Sequence, residues 1–231
     1  TMGIRVAGVE VTERNSTDVL GDGKVSFTAA VPATDTTPAV QATLTLNGVD
    51  YSPTGTDPLV VSGLDNLTVK LVGSNSVYVS STAEVYPEAA FVSSNSEASL
   101  TFTTDESDRL QPLNTNTVVL ASGFNNIVFT GYLYRDQNMV KNLLAPTPNM
   151  SEGYLAINRA GYEPDATTFN YEIEYVDGSE SATGTYDMSK TASDNNIVLD
   201  KPCTVTVYAQ YGTVKSAEKV GKLFGFADGN E

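Results

Sequence analysis

Apolar and polar residues alternate with a period of two along most of the chain, in short runs that end at glycine, asparagine, serine or proline. Leu59 to Val79, LVVSGLDNLTVKLVGSNSVYV, carries the pattern plainly: it alternates, breaks at Gly-Leu-Asp-Asn, alternates again and breaks at Gly-Ser-Asn. The pattern predicts strand, corner, strand. The same unit returns downstream. SGLDNLTV at 62–69 aligns without gaps on SGFNNIVF at 122–129, and FVSSNSEASLTFTT at 91–104 has the same layout between them. Leu67 and Leu100 are 33 positions apart, Leu100 and Ile127 are 27 apart, and ATLTLNGVDY offers a further strand upstream. A strand-corner-strand unit recurring about every 20 to 50 residues is the pattern of a solenoid. Leu67, Val69, Leu71, Leu100, Phe102, Ile127 and Phe129 then form the inward set, and Thr68, Lys70, Thr101 and Val128 face out. The fold class is therefore all-β. A short parallel β-solenoid is the preferred reading of the N-terminal part, and a Greek-key sandwich whose hairpins resemble one another is the alternative.

Helical signal is thin. Ser16 to Gly23 and Asp105 to Asn114 each offer one short turn, the second cut by Pro112. The character of the chain changes at LLAPTPNMSEG, residues 143–153, where Pro146 and Pro148 deny ladder donors and favour an extended linker. Beyond it tyrosine and acidic residues become denser. The expected organisation is two domains, 1–147 and 148–231, the second a small immunoglobulin-like sandwich. Within the second, Asp177-Gly178 marks a hairpin turn, and CTVTVYA alternates so that one face packs and the other is wet.

Composition narrows the function. The chain has 231 residues and a net charge of −15, which opposes nucleic acid and anionic membrane surfaces as partners. No apolar run is long enough to span a bilayer. The beginning of the chain reads as trimmed, so an export signal removed from it is part of the expectation. One cysteine, Cys203, rules out an internal disulfide and a cysteine zinc site, and the absence of histidine removes histidine-based catalysis and metal ligation. No glycine-rich loop leads into a helix, so no nucleotide fingerprint exists. The sequons at Asn15, Asn66 and Asn149 carry no weight in a chain this rich in Asn, Ser and Thr.

Two passages resemble known families. IRVAGVEVTERNSTDVLGDGKVSFTAA, with ATLTLNGVDY and DNLTVKLVGSNSVYV, resembles carbohydrate-binding-domain-like surface proteins of anaerobic gut bacteria, through Gly8, Val11, Asp18 to Gly23, Val25 to Phe27, Leu44 to Asn47 and Leu67 to Asn75. The resemblance implies a β-helix-type domain that binds polysaccharide and holds calcium. Val31 to Gln41 is an insertion where that family has a short turn. FNYEIEYVDGSESATGTYD with NNIVLDKPCTVTVYAQYGTVKS resembles the chitobiase/hexosaminidase C-terminal type of module. The matching positions are Tyr175, Asp177, Gly178, Ser179, Tyr186, Ile197, Thr204 to Ala209, Gly212 and Ser216. That resemblance implies an appended sandwich without catalytic residues of its own.

Candidate chemistry is sparse. Asp18, Asp22, Asp57, Asp65, Asp177, Asp187 and Asp194 sit in turn signals, where a solvated turn residue is the simpler reading than a glycosidase carboxylate. Asp105, Glu106 and Asp108 form the densest acidic cluster, of a kind that takes calcium with backbone carbonyls, though an acidic corner needs no ion. Lys70, Arg109, Arg135 and Lys141 are the cationic groups a lyase would draw on, and they form no motif. In NNIVFTGYLYRD, Ile127, Phe129 and Leu133 share one parity and Tyr132 and Tyr134 the other, which predicts two tyrosines on one outer face, about 7 Å apart, able to stack on a sugar. Packing against the second domain is the alternative use of that pair. The expectation is a non-catalytic, exported bacterial surface protein that binds polysaccharide, with calcium as the one candidate cofactor. The alternative is a structural spacer or an adhesin- or fimbria-like subunit. Function is expected on outward faces or in irregular insertions.

Overall fold

The computed structural model describes residues 1–80, 82–104, 113–115, 118–136, 139–150, 153–162 and 166–224. The fold is all-β, with several sheets and, among the described residues, no closed barrel. It divides into two compact units, Thr1–Asn142 and Leu143–Glu231. The division falls five residues before the expected position. The proline-containing segment belongs to the second unit, where the Tyr162 hydroxyl donates to the Leu144 carbonyl at 2.8 Å and Pro148 lies in a short strand opposite Ile157.

The first unit begins with three short strands, β1 (Ile4–Val6), β2 (Val9–Glu10) and β3 (Val25–Thr28). A first coil follows, β4 (Thr43–Asn47) and β5 (Asp50–Tyr51). The second coil is β6 (Val60–Ser62), β7 (Asn66–Val72) and β8 (Asn75–Val77). The third is β9 (Ala89–Ser93), β10 (Ser99–Thr103) and β11 (Leu113–Thr115). The fourth supplies β12 (Val119–Ser122) and β13 (Asn126–Phe129), and a hairpin of β14 (Leu133–Asp136) and β15 (Met139–Asn142) closes the unit.

Strands of equal rank in successive coils pair in parallel, which makes three sheets: β12-β9-β6, β13-β10-β7-β4 and β11-β8-β5. This is a short parallel β-solenoid; a Greek-key sandwich would require antiparallel neighbours. Antiparallel strands occupy the sheet ends: β1 and β2 beside β6, β3 beside β4, and the β14–β15 hairpin beside β11. The repeat read from sequence is the register itself. Leu67 faces Leu100, which faces Ile127, and Val69 faces Phe102, which faces Phe129. Leu44 and Leu46 extend the same ladders into the first coil, opposite Val69 and Leu71. Leu44, Leu46, Leu67, Val69, Leu71, Leu100 and Phe102 are all at most 1% exposed. Phe102 anchors the core: it meets Phe91 edge-on at 5.2 Å between centroids and stacks on Phe129 at 5.6 Å.

Corners are sealed by side chains. Buried Asn75 accepts from the Val49 amide at 2.8 Å and donates to the Val72 carbonyl, so it satisfies backbone groups of two coils at once. Asn95 donates to the Asp65 carboxylate across the second and third coils at 2.9 Å.

The second unit opens with a ribbon, β16 (Pro148–Asn149) and β17 (Ala156–Ile157). Its main sheet contains β18 (Thr167–Tyr175), β19 (Ala182–Tyr186), β20 (Cys203–Tyr211), β21 (Val214–Lys215) and β22 (Lys219–Leu223), all antiparallel. β18 is central, between β19 and β20, and both β21 and β22 pair with β20. Cys203, Val205, Val207 and Ala209 point into the core with Phe169 and Ile173, so the alternation in CTVTVYA resolves as expected. Pro148 and Met150 of the ribbon segment crowd the position a side chain at Gly221 would take, which places the ribbon over β22 as a second layer.

The helical turn expected at Ser16 to Gly23 is corrected, and most of the one expected at Asp105 to Asn114 lies outside the described residues. Residues 16–23 form successive tight turns, because Asp18 accepts from the Gly23 amide and Asp22 from the Lys24 amide, and those side-chain bonds replace helical ones. Leu113 and Asn114 belong to β11, and residues 105–112 lie outside the described residues. One helical turn, α1 (Ala192–Asn195), stands where none was expected, capped by Thr191 and ended by Asn196 at φ +55°. The insertion at Val31 to Gln41 is an exposed hairpin joined by reciprocal Val31–Val40 bonds of 2.9 and 2.8 Å. Among the described residues no helix is long and apolar enough to cross a membrane.

Candidate binding surface

The outer tyrosine face expected at Tyr132 and Tyr134 is not formed. The parity argument assumed one strand through NNIVFTGYLYRD. The chain instead turns at Gly131, with φ +69°, between the end of β13 and the start of β14. Parity holds for the buried Leu133, at 0% exposure, and for the half-exposed Tyr132, but Tyr134, the next residue of β14 and on its opposite face, is also buried, at 5%. A single ring in a turn is no platform. Tyr134 has no face to offer a sugar.

Most of the turn carboxylates prove to hold turns. Asp194 accepts from the Thr191 hydroxyl at 2.7 Å, and Asp187 accepts from the amide and hydroxyl of Ser189. Asp177 is bound by the hydroxyl and amide of Ser179 and by Lys201 at 3.0 Å, and the Ser179 hydroxyl first among these holds its carboxyl down to about 2. Lys201 also sits over the Tyr175 ring at 4.4 Å. Of the cationic candidates, Lys141 is paired with Asp136 at 2.6 Å in the closing hairpin, Arg135 lies in the same hairpin, and Lys70 projects from the second sheet. Arg109 and the acidic cluster Asp105, Glu106 and Asp108 lie outside the described residues. Among the described residues no group of three or more His, Cys, Asp or Glu stands close enough to hold a metal.

The aromatic surface lies elsewhere. Large hydrophobic side chains that are strongly exposed include only three aromatics among the described residues: Tyr78 at 48%, Tyr86 at 52% and Phe224 at 58%. Tyr78 and Tyr86 bracket one loop, the link from β8 to β9, and Val85 of the same loop is exposed as well. Tyr78 owes its position to the strand: Val77 and Val79 on either side are buried at 1% and 3%, so the residue between them points out. Its backbone is fixed to the preceding coil, with the Tyr78 amide donating to the Tyr51 carbonyl at 2.9 Å and the Ser52 hydroxyl donating to the Tyr78 carbonyl at 3.1 Å. The loop after β5 runs beside it. There the half-buried Tyr51 donates its hydroxyl to the Asp57 carbonyl at 2.9 Å, and burial, followed by the Asp57 charge, raises the Tyr51 pKa. Asp57, Glu84 and Glu88 lie within these two loops and Asp50 at the start of β5, all adding negative charge along them. The β8–β9 loop thus carries two exposed aromatic side chains and is tied at Tyr78 to the preceding coil.

A second concavity, of about 580 Å³, opens in the second unit between the end of β19 and the start of β18. Thr168, Thr185 and Ser189 give it hydroxyls, and Arg159 at its rim donates to the Met188 carbonyl. Its aromatic residue, Tyr186, is 5% exposed, so the ring face is not presented.

Comparison of the chain with protein-family models, with curated proteins and with solved structures found no match in any of the three.

Proposed function

We propose that this chain is a non-catalytic polysaccharide-binding module of an exported bacterial surface protein, and that a neutral glycan chain stacks on Tyr78 and Tyr86. The observation that carries the reading is the pair of exposed rings bracketing one corner loop whose ends are built into the solenoid. Aromatic faces suit the apolar faces of sugar rings, and a platform anchored in a rigid coil loses little entropy on binding. Neutral glycans are favoured because Asp50, Asp57, Glu84 and Glu88, in a chain of net charge −15, repel carboxylated or sulfated ones while still accepting hydrogen bonds from hydroxyls. Asp18, Asp22, Asp177, Asp187 and Asp194 are engaged in local hydrogen bonds, which favours binding over hydrolysis at those turns.

Affinity electrophoresis through gels containing a panel of neutral polysaccharides tests this. Retardation by at least one of them is expected, weakened roughly tenfold by Tyr78→Ala and by Tyr86→Ala, with melting temperature unchanged because both rings are exposed. Equal migration of wild type and both variants in every gel overturns the reading. A second reading, a structural subunit, is favoured by one separate observation: among the described residues, the outer edges of β12 and β13 at the end of the solenoid pair with no further strand.

A further inference from the structure

The last coil of the solenoid differs from those before it in three ways. First, the inward residues of its second strand, β13, are open, while Leu120 of β12 stays buried. Leu67 and Leu100 are at most 1% exposed, yet Ile127, the next residue of that ladder, is half-exposed; Val69 and Phe102 are fully buried, yet Phe129 is half-exposed. Second, its edges are free. β12 pairs only with β9 and β13 only with β10, and among the described residues nothing bonds to their outer sides. The Thr130 amide donates to Phe102, so by the alternation of a parallel ladder Ile127 and Phe129 turn their amides and carbonyls to the vacant side. Third, the usual protection is missing. Exposed edges are normally blunted by charge or proline, but residues 113–134 carry no charged side chain and no proline, in a chain of net charge −15.

The third sheet shows what size of object is absent. Beyond β11 it continues with two strands, β15 and then β14, whereas the first and second sheets continue beyond β9 and β10 with one each. The two open sheets are one strand short of the third. A second solenoid end stacked flat would meet the protruding β14, while a single extended segment, bent once at the corner beside Gly123 to Asn125, fills the step.

We propose that the edges of β12 and β13 form a docking site for one extended β-segment of a partner polypeptide, uncharged or nearly so, with apolar residues at alternate positions that cover Ile127 and Phe129. Main-chain hydrogen bonds supply the affinity and the alternate apolar side chains the selectivity. The absence of charged side chains in residues 113–134 lets such a segment approach these two strands of an acidic chain without local repulsion. This site is independent of the tyrosine platform, and it gives the structural-subunit reading a partner class.

The probe is a fluorescein-labelled peptide copying residues 89–103, the segment that already pairs with β12 and β13 from their other side. Fluorescence anisotropy with the full chain is expected to show saturable binding, reduced at least about tenfold by the edge variants Val119→Lys and Asn126→Lys. Both positions are exposed, so melting curves should be unchanged. Hydrogen exchange at the Ile127 and Phe129 amides is expected to be fast in the free chain and slowed by the peptide. Absence of binding, binding indifferent to both variants, or slow exchange in the free chain overturns the proposal. So does a concentration-dependent dimer that alone protects these amides, since the occupant would then be a second copy. Loss of glycan binding in the Tyr78 or Tyr86 variants leaves this result untouched, and peptide binding by a strictly monomeric chain separates the docking site from self-assembly.

Discussion

Gly123 carries more constraint than its neighbours in the corner between β12 and β13. Its φ is +79°, and a Cβ there would overlap the Ser93 carbonyl oxygen of the preceding coil well inside contact distance. Two penalties therefore coincide, a left-handed backbone that a side chain disfavours and a clash against backbone that has no rotamer to yield. Gly123→Ala is expected to destabilise the first unit by about 2–4 kcal/mol, read as a fall of several degrees in its thermal transition. Gly21, where no atom stands near the Cβ position, serves as the comparison, and its alanine variant should lose only the backbone part. Equal losses at both sites would mean that the close approach of coils at Ser93 does not matter. The same scale explains the misplaced aromatic site. Parity through Gly131 predicts Tyr132 and Tyr134 on one outer face, but both faces of β14 are covered at its start, so Leu133 and Tyr134 are buried alike. An exposed tyrosine was still legible at VYV, where Tyr78 lies between two valines that point inward.

Within the second sheet, one ladder position can be followed from coil to coil: Leu44, Val69, Phe102, Phe129. The first three are fully buried and the last is half-exposed, although all four occupy the same rung geometry. Deleting a side chain from the middle of the ladder removes contacts on both sides, including the Phe91 and Phe129 rings; deleting it from the end removes contacts on one. Phe102→Ala is expected to cost about 3–5 kcal/mol and Phe129→Ala less than half of that, measured by denaturant unfolding of each variant. Similar costs would indicate that the solenoid end is closed against solvent and would count against the open-edge site as well. The ladder was readable because spacings of 33 and 27 residues returned leucine to leucine and leucine to isoleucine in strands of matching parity. What periodicity does not encode is pairing partner. The antiparallel strands at the sheet ends, β1 to β3 and β14–β15, look like any other strands in the pattern, and only long-range pairing distinguishes a coil from a cap.

At the scale of the whole molecule, charge and surface chemistry point in different directions, and that divergence is testable. A net charge of −15 creates a field that draws in cations and turns away anions whatever the local site. Stacking on Tyr78 and Tyr86 depends on short-range contact and is indifferent to that field. A neutral polysaccharide held by the tyrosines should therefore keep its affinity within about twofold when ionic strength is raised about tenfold, because screening acts on charges that take no part. A polyamine glycan attracted by the general field should bind at low salt and be lost steeply over the same range, and Tyr78→Ala should alter it little. Isothermal titration of both polymers at two salt concentrations separates the contributions. Steep salt dependence with the neutral polymer would reassign recognition from the aromatic platform to the acidic groups around it, Asp50, Asp57, Glu84 and Glu88, and would leave the solenoid as a carrier of charge rather than of stacking faces.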